Sequence, residues 1–275
     1  MKSINHTLDI IVWPLTAVLI FLALQFICQF VAKTVGFFAV EGSEQQMLDI
    51  APWTMLCSSV MTTLILGFTK PFRLFREFRK WVCDGYNALF SLLIILIAFF
   101  AGTILNELLE IYCGLEMANE YKTLFENAVR NPAGVLAIVL FGPVCEEIVF
   151  RAGIMKPMID RNVKPWIPIL VSSVIFGLVH GNLSQIIYAV FIGFVFAIVY
   201  YRTRSLIITS FAHVLNNSLI VTLMLTSDNY EEVRVENYLG TGPMIAAFVL
   251  ALILLGVSIR YFWKNTAPEM MEKTE

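Results

Sequence analysis

Eight apolar blocks, most of them close to 20 residues long, divide this 275-residue sequence, with charged stretches between them. They occupy residues 10–32, 50–68, 86–105, 133–150, 166–181, 184–201, 206–225 and 243–263. A bilayer core about 30 Å thick takes roughly 20 apolar residues in a helix. The blocks therefore predict an all-α, polytopic helical membrane bundle of about eight spans, treated as one domain over 1–275. The blocks at 133–150 and 166–181 are the shortest and carry polar residues near one end. Composition agrees: 58% of residues are apolar and 15% charged, with a mean hydropathy of +0.76. Soluble domains carry about 45–50% and about 25%. A soluble enzyme, a disordered chain, a collagen and a disulfide-rich module are all excluded.

The net charge of -2 offers no basic field for nucleic acid, and no GxxxxGK[ST] loop offers a nucleotide site. The cysteines, Cys28, Cys57, Cys83, Cys113 and Cys145, are odd in number and lack CxxC spacing, so they read as small apolar side chains. With the N-terminus inside, 15 of the 19 Lys and Arg residues fall on the inner side. The outer loops are acidic, as at Glu107, Glu110, Glu116, Glu120 and Glu126, and again at Asp228, Glu231, Glu232 and Glu236. The charge bias predicts an even number of spans with both termini inside. Trp13, Trp53, Trp166 and Trp263 lie near span ends, where amphipathic rings favour the interface. The segment 70–80, KPFRLFREFRK, reads as an interfacial stretch on anionic lipid, and Glu269, Glu272 and Glu275 as a solvated tail. The first block is too long for a cleavable signal, and the short loops point to a bacterial plasma membrane.

Ionisable side chains at bilayer depth are costly and imply partners or a water-filled cavity. Of three histidines, His6 reads as a solvated tail residue, but His180 and His213 fall inside apolar blocks. So do the adjacent carboxylates Glu146 and Glu147. In EEIVFR, Glu147 and Arg151 stand at i, i+4 with the acid first, the favourable order for an ion pair. That pairing would leave Glu146 free for chemistry. In FGLVH, Phe176 and His180 share a helix face; in HVLNN, His213 and Asn217 do so, with Asn216 turned about 100° away and the weaker candidate. By rise per residue, Glu146 and His213 fall in the cytoplasmic third, whereas His180 comes out deeper.

Three segments, EEIVFRAG, FGLVH and YYRTRSLIITSFAHVLNN, resemble the signatures of the CPBP intramembrane proteases. This family comprises CAAX prenyl endopeptidase type II and bacteriocin-processing or immunity proteins, also called Abi. Its pattern is EExxxR, FxxxH and HxxxN on successive helices. Here it falls on Glu146, Glu147 and Arg151, on Phe176 and His180, and on His213 and Asn217, within a core of about 133–225. The resemblance implies a helical core with a cavity open to the cytoplasm, and peptide-bond hydrolysis in or beside the membrane.

Two mechanisms fit these residues. In the metal-free one, favoured here, Glu146 is general base on a water oriented by His180. His213 and Asn217 hold the oxyanion, while Glu147 with Arg151 fixes the site. The alternative places Zn2+ on His180, His213 and Glu146, with the other glutamate as base. The partners expected are the lipid bilayer and a peptide or protein substrate. Serine and aspartyl intramembrane proteases are excluded: there is no GxSG motif, and Asp84 and Asp160 lie in basic loops. Cys145 beside Glu146 makes a poor nucleophile. A non-proteolytic immunity or scaffold protein and a proton-coupled transporter are the competing readings. No internal repeat supports the transporter, and retention of all seven motif positions favours an active enzyme.

Overall fold

The computed structural model describes residues 2–39, 44–68, 85–226 and 234–266. The segment 70–80, Cys83 and Asp84, the acids at 228–232, the tail glutamates and the side chain of His6 lie outside the described residues.

The described secondary structure is helical throughout, with no strand among the described residues. The helices are α1 (Lys2–Ala39), α2 (Glu44–Phe68), α3 (Gly85–Cys113), α4 (Asn119–Val129), α5 (Pro132–Asp160), α6 (Trp166–Leu178), α7 (Leu183–Thr203), α8 (Leu206–Thr226), α9 (Val235–Leu239) and α10 (Thr241–Asn265). Seven of these are long and apolar enough to cross a membrane: α1, α2, α3, α5, α7, α8 and α10. The protein is a polytopic helical membrane bundle.

The fifth apolar block, 166–181, forms a helix but a short one. At 13 residues, α6 spans about 20 Å, less than a hydrocarbon core. It ends at Leu178, and the chain turns through Gly181 at φ 74° into α7. Asn182 caps α7 by accepting from the Gln185 N–H. Gly177 lets α6 and α7 approach closely, because a Cβ there would stand 2.3 Å from Val190 Cγ2 and 2.9 Å from the Ile186 carbonyl oxygen. Small residues at such crossings substitute for a hydrophobic force that lipid does not supply.

Three boundaries move relative to the sequence expectation. The α3 helix runs on through Glu107 and Glu110, which the charge pattern places in an outer loop. Its late acids are covered by the segment that opens α9: Glu107 accepts the Val235 and Glu236 N–H groups at 2.9 and 2.8 Å, and Arg234 pairs with Glu110. The acidic loop that follows contains a helix, α4, whose Asn127 side chain donates to the Leu48 carbonyl of α2 at 2.5 Å. Arg151, counted among the loop charges, lies inside α5 and is fully buried.

The α5 helix occupies the centre, contacting α1, α2, α6, α7 and α8. It is not a uniform α-helix. Residues Ala137–Phe141 and Ile148–Met155 are π-helical. Each wide segment leads into a proline, Pro143 or Pro157. A proline has no N–H for the carbonyl four residues back and crowds it. The residue before each proline donates five residues back instead, Gly142 to Ala137 and Lys156 to Arg151. Such π turns cluster at functional sites.

Candidate active site

The widened turns of α5 present Glu146, Glu147 and Arg151 to α6 and α8, and the two carboxylates meet different surroundings. Glu147 is fully buried. It accepts from Arg151 Nε at 3.0 Å on one oxygen; on the other it accepts from Arg151 Nη2 at 3.5 Å and His213 Nδ1 at 3.3 Å. Arg151 completes its own set by donating through Nη1 to Ser172 Oγ at 2.7 Å, and the Ser172 hydroxyl donates in turn to the Phe150 carbonyl at 3.0 Å. A buried ion pair is tolerated only when its remaining donors and acceptors are satisfied in this way. Glu146 is 22% exposed, and His213 Nε2 stands 3.7 Å from its carboxylate, outside hydrogen-bond distance.

Because a carboxylate only accepts, the Glu147 contact assigns the Nδ1 proton of His213 and leaves Nε2 on the Glu146 side. The same logic fixes His180. Its Nδ1 donates to the Phe176 carbonyl at 2.8 Å, so Nε2 is the nitrogen available to a ligand. Both imidazoles meet one ring edge to face: Phe176 lies 5.1 Å from His180 and 5.7 Å from His213. The two histidines therefore meet at one ring, with His180 in the turn that follows α6. Phe176 also packs against Phe150 at 5.1 Å and lies beneath the Arg151 guanidinium at 5.5 Å. Gly193 of α7 makes room for it, since a Cβ there would meet Phe176 Cδ1 at 2.7 Å.

Asn217 faces α5, as its spacing from His213 predicts. Its Nδ2 donates to the Ile138 carbonyl at 2.9 Å. That carbonyl is available because Gly142 donates to Ala137 and the next residue is Pro143. One Nδ2 hydrogen of Asn217 is thereby used and one remains. Asn216, the weaker candidate by angle, is nevertheless part of the arrangement: it donates to Asn217 Oδ1 at 3.0 Å and accepts from Tyr188 at 2.9 Å. Tyr188, Asn216 and Ser172 have no signature in the sequence beyond being polar in apolar helices. That alone would have marked them as needing partners.

Thus α5, α6 with the turn after it, and α8 bring Glu146, Glu147, Arg151, Phe176, His180 and His213 together, while Asn217 meets α5 at the Ile138 carbonyl. Among the described residues, no three His, Cys, Asp or Glu side chains converge as a metal ligand set. Cys145 is buried.

Residues 128–219 match the family model described as Type II CAAX prenyl endopeptidase Rce1-like. The chain is 26% identical over 194 residues to YdiL of Bacillus subtilis, named as a candidate membrane peptidase, covering 69% of this chain and 79% of that one. It is 27% identical over 222 residues to the membrane-embedded CAAX protease MroQ of Staphylococcus aureus, covering 77% of this chain and 88% of that one. The chain is thus similar to the CPBP/CAAX family of membrane proteases, through the family model over residues 128–219 and through both relatives. The matched stretch contains every residue of the cluster, from Glu146 to Asn217. No solved structure matches the chain.

Proposed function

We propose that the chain is an intramembrane endopeptidase that hydrolyses a peptide bond in a membrane-associated peptide or protein, with Glu146 as general base. The observation that carries this reading is the division of labour between adjacent carboxylates. Glu147 is consumed by Arg151 and His213, whereas Glu146 keeps partial access to solvent beside the oriented His213 imidazole.

In this reading Glu146 takes a proton from a water molecule as the hydroxide adds to the carbonyl carbon. The resulting oxyanion is held by His213, protonated at Nε2 while its Nδ1–H stays on Glu147, and by the remaining N–H of Asn217. Collapse breaks the C–N bond, and Glu146 returns the proton to the leaving amine. Glu147, Arg151 and Ser172 hold His213, and Phe176 sets the spacing of both rings. The relatives named as membrane peptidases support a proteolytic role and a bacterial plasma membrane, with the site opening to the cytoplasm as the charge pattern predicts.

The test compares peptide termini by mass spectrometry in membranes holding the wild type and in membranes holding Glu146→Ala. Termini present only with the wild type are expected, and they give substrate and cleavage site together. Identical termini, with both proteins folded and equally expressed, would overturn the reading in favour of an immunity, scaffold or transport role. If chelation erased the wild-type termini and added zinc restored them, the metal-free chemistry would be replaced by the zinc one.

A further inference from the structure

Away from the proposed catalytic cluster, α7 ends in YYRTRS, and neither arginine there has a carboxylate within salt-bridge distance among the described residues. Arg202 is buried to 7% exposure, and its Nε has no hydrogen-bond partner among the described residues. Its guanidinium carbon lies 4.9 Å from the centre of the Trp263 ring near the end of α10. Arg204, held at φ 53° as the chain turns toward α8, lies 5.0 Å over the Tyr201 ring. Tyr201 and Trp263 are themselves stacked, 5.4 Å apart and 8° from parallel. Two cations and two rings thus form one assembly. Asp160 is the carboxylate that faces Arg204, and it is already bonded to Lys156 at 2.7 Å.

A ring face stabilises a guanidinium but accepts none of its N–H donors. We propose that this assembly binds the phosphate of an anionic membrane phospholipid, which supplies the missing acceptors in the planar geometry arginine favours. The lipid source follows from position. The α10 surface leading to Trp263 is exposed and apolar, at Val249, Leu250, Ile253 and Val257, as a lipid-facing helix must be. Trp and Tyr settle at headgroup level, and basic pockets between helix ends receive anionic headgroups. Neither arginine belongs to the proposed catalytic machinery, so the inference stands apart from the peptidase reading.

Native mass spectrometry of the full chain, supplied in turn with phosphatidylglycerol, phosphatidylcholine and inorganic phosphate, tests it. The wild type is expected to retain phosphatidylglycerol over phosphatidylcholine by about tenfold or more. The double variant Arg202→Gln/Arg204→Gln should lose that preference. Arg260→Gln/Lys264→Gln removes two exposed charges from the same end and should keep it. Loss of a buried arginine can disturb folding, so Arg204→Gln alone is the second variant, checked by an unchanged melting temperature and expected to weaken retention severalfold. Full retention in a folded Arg204→Gln variant would overturn the proposal. So would equal loss in the Arg260/Lys264 pair, which would indicate a diffuse field. Competition by inorganic phosphate at the lipid's own concentration would replace the lipid by a free anion.

Discussion

Helices α5 and α7 have 56% of their most apolar stretch buried inside the bundle, whereas α1 has 11% and α10 has 17%. All four read alike as apolar segments long enough to span a membrane. The difference lies in where polar atoms and small residues sit. The interior pair carries Glu146, Glu147, Arg151 and Tyr188, and it uses Gly193 to bring Phe176 close. The middle of α10 carries no ionisable group, and its Gly256 has nothing within 4 Å of an added Cβ. In lipid, apolar surface costs the same whether it faces acyl chains or another helix, so hydropathy alone does not sort the two. Polar atoms do sort them, because only the protein interior offers partners.

Substitutions can break this comparison, and the largest effect is expected at the buried ion pair. Arg151→Met removes the partner of a fully buried carboxylate and should destabilise the fold by about 3–5 kcal/mol, read as a lowered unfolding midpoint in detergent. A loss below about 1 kcal/mol would mean that water reaches Glu147. Phe176→Ala should follow at about 3–5 kcal/mol, together with loss of cleavage, because both imidazoles pack on that ring.

The sharpest version of the contrast uses one substitution twice. Gly193→Ala drives a methyl into Phe176 and should cost about 1–3 kcal/mol. Gly256→Ala should be neutral or stabilising by up to about 1 kcal/mol, the helix propensity gain of alanine. Equal effects at the two positions would show that α7 is less tightly packed than the distances imply. The smallest effect is expected from Tyr188→Phe, which removes one hydrogen bond to Asn216. About 0.6 kcal/mol of stability is at stake there, while the cleavage rate should fall more than stability does if Asn216 holds Asn217 in place.

Much of the site was legible because its residues are chemically out of place. Two histidines and two carboxylates in apolar blocks drew attention by cost alone, and i, i+4 spacing correctly paired Glu147 with Arg151 and turned Asn217 toward the same neighbour as His213. Other parts were hidden for identifiable reasons. Only the structure shows that the turn leading into Pro143 widens and frees the Ile138 carbonyl for Asn217. Asn216 looked misdirected because angular position on a single helix ignores a partner, Tyr188, arriving from α7. Glu107 and Glu110 resembled loop residues because the segment that covers them lies more than 120 residues further on.

What the sequence determined by itself was the all-helical membrane architecture, the identity of the ionisable groups that cannot face lipid, and the pairing within each helix. These follow from terms local to a segment: desolvation of the backbone, the length of an apolar run and the 3.6-residue turn. Tertiary structure alone decided that His213 also engages Glu147, that His180 and His213 share the Phe176 ring, and that α6 stops short. Those outcomes depend on how one helix meets another. Contact between helices is set by steric fit at positions such as Gly177 and Gly193 and by the search of buried donors for acceptors across the chain.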